Sequence, residues 1–590
     1  MDTVKSFKGY GKVDEADNRE FQRTTRKRLI LIASSAVILL VIVVGVVIGV
    51  VANKRGGGGG DDDDSDRSPS TSATSIKAMC SVTRYPDACF SSVSSVKEAG
   101  STSDPEELFK LSLRVAADAV SRASSLPDTF AVPANDARLA AALRDCRELF
   151  DDAVGRLNDS IASLGAAAGG AGGKVLTDSK IGDLKSWLSA AVTDQETCLD
   201  GFEGTTGGLR EKMEAAMTNS TQFTSNSLAI VAGILGILRD LDIPIHRKLL
   251  SSSSSALLPK WVLGSHRRAL LQAAAPGELK PNVTVAKDGS GQFATIGEAV
   301  QLVPKKSPFP FVIYVKEGVY EENVVVEKSK WNVMFFGDGM YKTVVTGSLN
   351  FIDGTPTFST ATFATVGKGF MARDMGFKNT AGPEKHQAVA FRSGADRSVY
   401  YRCSFEAFQD TLYVHALRQF YRECDISGTI DFIFGDATAV FQKCTIRPRQ
   451  PLANQRNIIT AQGKKDPNES TGISIQGCTI TPYSTDVTAQ TYLGRPWKNY
   501  STTIVMQTEI GAVVDAEGWL AWTPGVAPPD TINYAEYQNT GPGSMVAGRV
   551  KWAGYRPEIS AEEAAKYTVH AFLDGSEWID QSGATYESTL

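Results

Sequence analysis

The longest apolar stretch of the chain runs from Leu29 to Ala52 and contains no charged residue. Its 24 residues exceed the roughly 20 that a helix needs to cross a hydrocarbon core of about 30 Å. Basic residues precede the stretch and a Gly- and Asp-rich segment follows it, which favours a cytoplasmic N-terminus and an exported remainder. We therefore predict a cytoplasmic segment over 1–28, a transmembrane signal anchor over 29–52 and a flexible linker over 53–76.

Apolar residues next recur at intervals of three and four along four segments between residues 77 and 241, which predicts four amphipathic helices. Asp104 followed by Pro105 supplies an N-cap and a proline at the first helical position of one helix. Gly- and Ser-rich stretches separate the segments, so we interpret 77–241 as an all-α four-helix bundle.

The eight cysteines are candidates for disulfides in an exported chain. Cys146 and Cys198 lie on the apolar stripes of the second and third predicted helices, so a bond between these helices is expected. Cys80 and Cys89 are expected to close a small loop. Five glycosylation sequons fit the same compartment and predict a secreted glycoprotein: Asn158, Asn219, Asn282, Asn468 and Asn499.

Residues 242–275 contain five consecutive serines and two basic sites, around Arg247-Lys248 and Arg267-Arg268. A dibasic pair usually belongs to a solvated loop. Here two such pairs lie in one linker between regions of different composition, so we predict proteolytic processing within 242–275.

From Pro276 onward the apolar runs become short, β-branched or aromatic, and interrupted by glycine. The pattern Cys-x-Phe/Ile recurs with spacings of 21, 20 and 34 residues, at Cys403, Cys424, Cys444 and Cys478. A period near twenty residues with variable insertions is typical of a solenoid in which each repeat is one coil. We predict an all-β right-handed parallel β-helix over 276–590, since an antiparallel sandwich would not impose this period.

Composition adds little to this picture. Hydrophobic residues at 42% and charged residues at 22% are ordinary for globular protein. The formal net charge of −5 argues against a nucleic-acid partner, which would require a basic surface, and it does not indicate the substrate.

The period also converts sequence spacing into proximity around Asp410 and Asp431, which are 21 residues apart. Gln387 precedes Asp410 by 23 residues, about one coil, and Gln409 is adjacent to Asp410. Equivalent residues of neighbouring coils lie about 4.7–4.9 Å apart, so these side chains are expected to line one face. Two carboxyls so close do not both ionise readily, so one pKa should rise while the other stays low. The amides are suited to stabilising an oxyanion.

Spacing alone leaves other interpretations of the two aspartates open. Aspartate pairs on a solenoid also form polar ladders or calcium sites. A retaining glycosidase holds its two carboxyls about 5–5.5 Å apart, so it would give a similar pattern.

Five motifs resemble the signatures of plant pectin methylesterases, in the order that the family has them. They are GVYEE (Gly318–Glu322), HQAVA (His386–Ala390), FQDTLYVH (Phe408–His415), GTIDFIFG (Gly428–Gly435) and YLGRPW (Tyr492–Trp497). The resemblance covers nearly all of 276–590, and the bundle with its cysteines is similar to the invertase and pectin methylesterase inhibitor family. It implies hydrolysis of the methyl esters of homogalacturonan without cofactor or metal.

The resemblance also implies a role for each matching residue. Asp431 matches the nucleophile, and Asp410 matches the acid that protonates the departing methanol and then activates water. Gln387 and Gln409 match the residues that stabilise the oxyanion. Arg495 matches an arginine that fixes the nucleophile and lowers its pKa.

Further matches concern the substrate and the fold. Trp497 matches an aromatic residue that stacks on a sugar ring, with core packing as the alternative, and Thr357 matches a threonine that contacts substrate. The family suggests a disulfide between Cys424 and Cys444. With five histidines in the chain, His415 is expected to be structural.

The chain departs from the family pattern at Asp436, where Asn is more common, and at Thr502, where Arg is common. The expected partners are pectin, a processing protease, a proteinaceous inhibitor of the pro-domain's family and, in the precursor, the membrane. The mature enzyme is expected to be monomeric and located in the cell wall, and the pro-domain to be autoinhibitory. Two rival functions stay open: a β-helix glycosidase or lyase that cuts the polymer, and an inhibitor protein acting through the bundle alone.

Overall fold

The computed structural model of the chain describes residues 71–130, 136–165, 178–205, 208–240, 280–579 and 584–590. These residues belong to one compact unit, Pro69–Leu590. The predicted segments 1–28 and 29–52 and the processing linker 242–275 lie outside the described residues. Among the helices of the described part, none has the length and apolar character needed to cross a membrane.

The N-terminal part of the described chain is helical. Its helices are α1 (Thr71–Cys80), α2 (Pro86–Ser94), α3 (Pro105–Ala123), α4 (Leu126–Thr129), α5 (Ala137–Gly165), α6 (Asp178–Asp200) and α7 (Leu209–Asp240). Helix α3 begins as predicted, because the Asp104 carboxylate accepts a hydrogen bond from the Glu106 amide and Pro105 follows the cap. The long helices α3, α5, α6 and α7 pack around one apolar core that includes Phe150 and Leu188.

Two disulfides hold this helical part together. Cys80 pairs with Cys89, and Cys146 of α5 pairs with Cys198 of α6. Both pairings predicted from the sequence are confirmed.

Three sheets of parallel strands make up the rest of the described chain. The first sheet contains β1 (Val283–Val285), β2 (Phe311–Val315), β5 (Val333–Phe336), β8 (Met371–Arg373), β11 (Ser398–Tyr401), β14 (Arg418–Arg422), β17 (Thr438–Gln442), β20 (Gly472–Gln476), β23 (Thr502–Met506), β25 (Asn533–Tyr537) and β26 (Tyr555–Arg556). The second contains β4 (Val324–Val326), β7 (Phe363–Thr365), β10 (Phe391–Ser393), β13 (Leu412–Val414), β16 (Ile433–Gly435), β19 (Asn457–Gln462) and β22 (Thr491–Gly494). The third contains β3 (Gly318–Glu321), β6 (Thr343–Gly347), β9 (Gly376–Asn379), β12 (Ser404–Glu406), β15 (Asp425–Gly428), β18 (Thr445–Pro448), β21 (Thr479–Ile480) and β24 (Glu509–Ile510).

The short helix α8 (Ile296–Gln301) lies between β1 and β2 in sequence, and the short helices α9 (Ala561–Ala565) and α10 (Val569–Leu573) follow β26. Successive strands such as β11, β12 and β13 enter the first, third and second sheets in turn, so each coil contributes one strand to each sheet. The predicted parallel β-helix is therefore confirmed.

The Cys-x-Phe/Ile repeat forms the ladder that its period predicted. Phe405 pairs with Ile426, Ile426 with Ile446, and Ile446 with Ile480, and all four side chains are buried. Because every coil must fill the same interior position, the sequence repeats the same kind of apolar residue there.

The four cysteines of the repeat are buried free thiols, so the predicted Cys424–Cys444 disulfide is not formed. The thiols of Cys424 and Cys444 each contact a carbonyl of the preceding coil: Cys424 Sγ lies 3.5 Å from Tyr400 O, and Cys444 Sγ lies 3.6 Å from Tyr421 O. The Cys424 amide also donates to Cys444 Sγ at 3.4 Å, so the two cysteines are neighbours in the ladder without a covalent bond between them.

Candidate active site

Asp410 and Asp431 occupy equivalent positions in successive coils. Each precedes a strand of the second sheet by two residues, and Leu412 of β13 pairs with Ile433 of β16. The Asp410 amide donates to the Ile430 carbonyl at 3.0 Å, which continues the pairing up to the aspartates. The structure thus brings together the two acidic side chains that the coil period predicted to be neighbours.

Both aspartates have a left-handed backbone conformation, with φ of 63° at Asp410 and 51° at Asp431. Aspartate tolerates this region better than most residues, because its short polar side chain can hydrogen-bond locally. Other non-glycine residues of the β-helix, among them Arg402, Glu423 and Lys443, also have a positive φ. The conformation therefore belongs to the turns of the coils and does not by itself mark a functional site.

Arg495 fixes Asp431 in place. Arg495 follows β22, which is separated from β16 by one strand in the second sheet. Its guanidinium forms two hydrogen bonds with the Asp431 carboxylate. Nε donates to Oδ1 at 2.8 Å and a terminal nitrogen donates to Oδ2 at 2.5 Å. Such a bidentate pair holds the carboxylate in one orientation and favours its ionised form.

A pocket of about 180 Å³ opens over these groups. It is lined by all seven polar and aromatic residues singled out from the sequence: Thr357, Gln387, Gln409, Asp410, Asp431, Arg495 and Trp497. Thr357 begins a short 3-10 helix, Thr357–Thr360, at the edge of the pocket. Residues separated by up to 140 positions, from Thr357 to Trp497, therefore share one site, as expected for a solenoid.

The predicted alignment of Gln387 with Asp410 is off by two residues. Phe391 of β10 pairs with Leu412, so the position equivalent to Asp410 is Val389. The Ala388 amide donates to the Gln409 carbonyl at 3.2 Å, which agrees with that register. Loops of unequal length between the coils shift the residue count, yet the Gln387 side chain still reaches the pocket.

Burial raises the pKa of both aspartates above the ordinary value, and the two differ in what surrounds them. At Asp410 the pKa is raised well above that value by burial, and then by the negative charges of Asp431 and Glu203. At Asp431 burial raises the pKa, and the charge and hydrogen bonds of Arg495 oppose the rise. The expectation that one pKa stays low is thus wrong, because burial outweighs the effect of Arg495.

The helical bundle contributes part of the pocket wall. Thr197 and Asp200 of α6, and Gly201 and Glu203 just after it, line the pocket together with the aspartates. The sequence did not indicate these residues, because they belong to no catalytic motif. They line the pocket because α6 and the residues after it pack beside it. Trp522 also lines the pocket without having been singled out.

Polar contacts fasten α6 to the β-helix beside this pocket. Lys498 donates to Glu196 at 2.7 Å and to Asp200 at 2.8 Å. Lys465 donates to the same Glu196 at 3.2 Å. The lysines of the β-helix and the carboxylates of α6 have opposite charges, so ion pairs as well as apolar contacts hold α6 against the β-helix beside the pocket.

His415 and Asp436 of the β-helix also contact α6. His415 is buried, and its Nε2 lies 3.0 Å from Thr197 Oγ1. Burial and the positive charges of Arg392 and Arg156 lower its pKa well below the ordinary value, which agrees with a structural histidine. Asp436 accepts a hydrogen bond from Thr193 Oγ1 at 2.8 Å, so the departure from the family pattern touches the bundle.

Within the described residues, no group of three or more His, Cys, Asp or Glu side chains could hold a metal ion. On the β-helix side, the pocket offers the carboxyls of Asp410 and Asp431, two amides, one guanidinium and aromatic walls. This set can supply a nucleophile, a proton donor and oxyanion stabilisation.

Comparison with known proteins agrees with this geometry. The family model "Pectinesterase" matches residues 282–576, and "Plant invertase/pectin methylesterase inhibitor" matches residues 74–230. The chain is 58% identical over 595 residues to "Pectinesterase 1" of Arabidopsis thaliana, which covers 99% of each chain. It is 56% identical over 598 residues to "Pectinesterase 3" of Phaseolus vulgaris, covering 100% of each.

A solved structure extends the comparison to the fold. The pectin methylesterase from carrot is 49% identical, with a TM-score of 0.52, and the match covers 53% of this chain and 99% of that chain. The carrot enzyme therefore corresponds in extent to the β-helix without the bundle. From the family models and these relatives, the chain belongs to the pectinesterase family and carries an inhibitor-family domain before its enzyme domain.

Proposed function

We propose that this chain hydrolyses the methyl esters of homogalacturonan in pectin, releasing methanol and leaving free galacturonate carboxylates. The observation that carries the proposal is the pairing of Asp431, held by Arg495 in a bidentate grip, with a second buried carboxyl, Asp410, in the same pocket. A carboxylate held in one orientation beside a carboxyl that retains its proton is suited to acyl transfer.

The chemistry follows from the two environments. Asp431 attacks the ester carbonyl carbon, and the resulting oxyanion accepts hydrogen bonds from the side-chain amides of Gln387 and Gln409. Asp410, whose pKa burial raises, protonates the departing methanol. Water, deprotonated by Asp410, then attacks the acyl-enzyme and frees the product carboxylate and Asp431.

The walls of the pocket suit a sugar substrate. Trp497 and Trp522 stack with ring centroids 6.5 Å apart and an interplanar angle of 25°. Aromatic faces of this kind pack against the apolar face of a pyranose ring, and Thr357 offers a hydroxyl in the same pocket. We assign both groups to substrate binding.

The helical bundle is proposed to keep the precursor silent. Its residues Thr197, Asp200 and Glu203 stand in the pocket that the ester must enter. Cutting within 242–275 would allow the bundle to leave, and the segment 29–52 would anchor the precursor during export. The mature domain would then act, as a monomer, on cell-wall pectin.

One experiment separates this function from its rivals. The full-length chain, cleaved in the linker by a protease specific for dibasic sites, is incubated with highly methyl-esterified homogalacturonan. We expect methanol without new reducing ends or unsaturated products, and much less methanol from the uncleaved chain. Chain scission would instead support a glycosidase or lyase, and equal activity before and after cleavage would refute the silencing role.

A point variant tests the silencing without any protease. Glu196 accepts ion pairs from Lys498 and Lys465, so Glu196→Gln weakens the contact and leaves the enzyme domain unchanged. We expect the uncleaved variant to release methanol roughly tenfold faster, which corresponds to about 1.4 kcal/mol of lost contact free energy. The matched control is Glu107→Gln, an exposed glutamate of α3 that pairs only weakly, with Lys110 of its own helix, at 4.0 Å.

Equal rates for the two Glu→Gln variants would contradict the silencing role of this contact. Cleavage should abolish the difference between Glu196→Gln and the unaltered chain. A difference that persists after the bundle has been removed would place the effect elsewhere.

A further inference from the structure

Away from the active-site pocket, basic residues cluster at one corner of the β-helix, which we call the basic corner. It consists of the connections that lead into four neighbouring strands of the first sheet: 302–310 before β2, 327–332 before β5, 366–370 before β8 and 394–397 before β11. These connections contain six basic residues and two acidic ones. The basic residues are Lys305, Lys306, Lys328, Lys330, Lys368 and Arg397, and the acidic ones are Glu327 and Asp396.

Backbone hydrogen bonds stack these connections on one another. The Lys306 amide donates to the Ser329 carbonyl at 2.6 Å, and the Asn332 amide donates to the Lys368 carbonyl at 2.9 Å. The third and fourth connections are joined in the same way, at 2.8 Å. Since neighbouring coils lie about 4.8 Å apart, the basic corner forms a row of positive charges along the axis of the solenoid.

Two cations of the basic corner already bind carboxylates of the helical bundle. Lys328 pairs with Asp151 and Asp152 of α5. Arg397 pairs with Asp183 of α6 at 2.7 Å. The corner is thus able to bind several carboxylates presented side by side, and departure of the bundle would leave both cations without these partners.

Two further cations of the basic corner lie outside the contact with the bundle. Lys306 and Lys368 are exposed, and neither forms an ion pair with a carboxylate of the described residues. Their Nζ atoms lie 5.8 Å and 4.6 Å from the ring centroid of Trp331. The indole nitrogen of Trp331 donates to the Lys328 carbonyl at 2.9 Å, which fixes the ring. Cation–π contacts position the two ammonium groups without neutralising them, so both are available to an anion.

We propose that the basic corner is a second binding surface for de-esterified stretches of pectin, and that aspartates of the bundle occupy two of its cations in the precursor. The inference rests on the proposed function, in which the polymer gains one carboxylate for each methyl ester that is removed. None of the corner's residues lines the active-site pocket.

Charge explains why such a surface is useful. The chain has a formal net charge of −5, so it repels a polyanionic product unless a local surface has the opposite sign. A row of cations along the solenoid axis suits a linear polyanion, and the bundle's three aspartates occupy positions that carboxylates of the polymer would take. The basic corner would keep the enzyme on pectin that it has already de-esterified.

The uncleaved full-length chain tests this surface, because bundle residues stand in its active-site pocket while Lys306 and Lys368 lie outside that pocket. The probes are unesterified polygalacturonate and its fully methyl-esterified counterpart, titrated calorimetrically at low salt. We expect tighter binding of the unesterified polymer, and weaker binding as salt is added. The double variant Lys306→Gln/Lys368→Gln should bind it roughly fivefold more weakly. Asp151→Asn should tighten binding, because it removes an exposed bundle carboxylate from Lys328.

Lys342→Gln/Lys566→Gln is the matched control, since it removes two exposed positive charges outside the basic corner. All four lysines are exposed, so folding is not at risk. The control should leave the affinity unchanged. Equal affinity of the two double variants, or equal affinity for the two polymers, would overturn the binding surface. Unchanged affinity in Asp151→Asn would refute its occupation by the bundle.

Two further measurements separate this proposal from others. Phe309 of the basic corner is 65% exposed, and an apolar side chain beside lysines also suits an anionic membrane. Tighter binding to vesicles of anionic lipid than to polygalacturonate would therefore overturn the choice of partner. Methanol release by the cleaved chain is measured separately: its absence, with lysine-dependent binding of the polymer intact, would refute the esterase and not the binding surface.

Discussion

Asp431→Asn will reduce methanol release by the cleaved chain by a factor on the order of 10⁴, with the fold intact. The substitution keeps the volume of the side chain and removes the anionic oxygen that attacks the ester. Arg495 retains an oxygen partner, although the charge that opposed its own is lost. The measurement is initial methanol release, accompanied by circular dichroism and a thermal melt to verify folding.

Asp425→Asn is the matched control for this substitution. Asp425 is the first residue of β15 and lies between Asp410 and Asp431 in the sequence. Its carboxylate accepts a hydrogen bond from Arg447 at 2.7 Å. The control therefore also neutralises an aspartate paired with an arginine, but outside the pocket. Full activity is expected for it. Activity of the Asp431 variant at the level of the control would show that another group is the nucleophile.

Regular features of the chain were predictable because one physical constraint acts on every coil. The interior positions Phe405, Ile426 and Ile446 fill the same space in successive coils, so their period fixes the fold. The same period places Asp410 and Asp431 side by side, since both sit two residues before a strand. Spacing succeeds where the coil length stays constant.

Irregular features were not predictable from spacing. The loop before β10 places Gln387 two residues away from the position equivalent to Asp410. The number of residues between Gln387 and Asp410 does not reveal that shift. The bonding of Cys424 and Cys444 was inferred from family resemblance, while local geometry directs each thiol to a carbonyl. Thr197 lines the pocket because α6 packs against the β-helix there. The local pattern of residues in a helix does not predict where that helix will pack.

Arg495→Ala will lower methanol release by about 10³-fold and shift the acidic limb of the pH profile to higher pH. The nucleophile must be ionised, and Arg495 is the group that opposes the burial-driven rise in the pKa of Asp431. Without it the pKa of Asp431 rises further, so a larger share of the enzyme is protonated at a given pH. Removing an electrostatic partner from a reacting group commonly costs two to three orders of magnitude, about 3–4 kcal/mol.

The stability of the same variant should fall as well, because an aspartate that is 8% exposed loses its counter-charge. Loss of one partner of a buried pair costs about 3–5 kcal/mol, and since the Arg495 side chain is 21% exposed we expect the lower end or less. Arg495→Lys separates charge from geometry: it retains the positive charge and loses the planar fork. We expect it to recover most of the pH shift but only part of the rate, because Asp431 is ionised again without being held in one orientation. If Arg495→Lys is as slow as Arg495→Ala and its pH profile is shifted as far, the positive charge is not what Arg495 contributes. If the acidic limb of Arg495→Ala is unchanged, Asp431 is not the group whose pKa Arg495 controls.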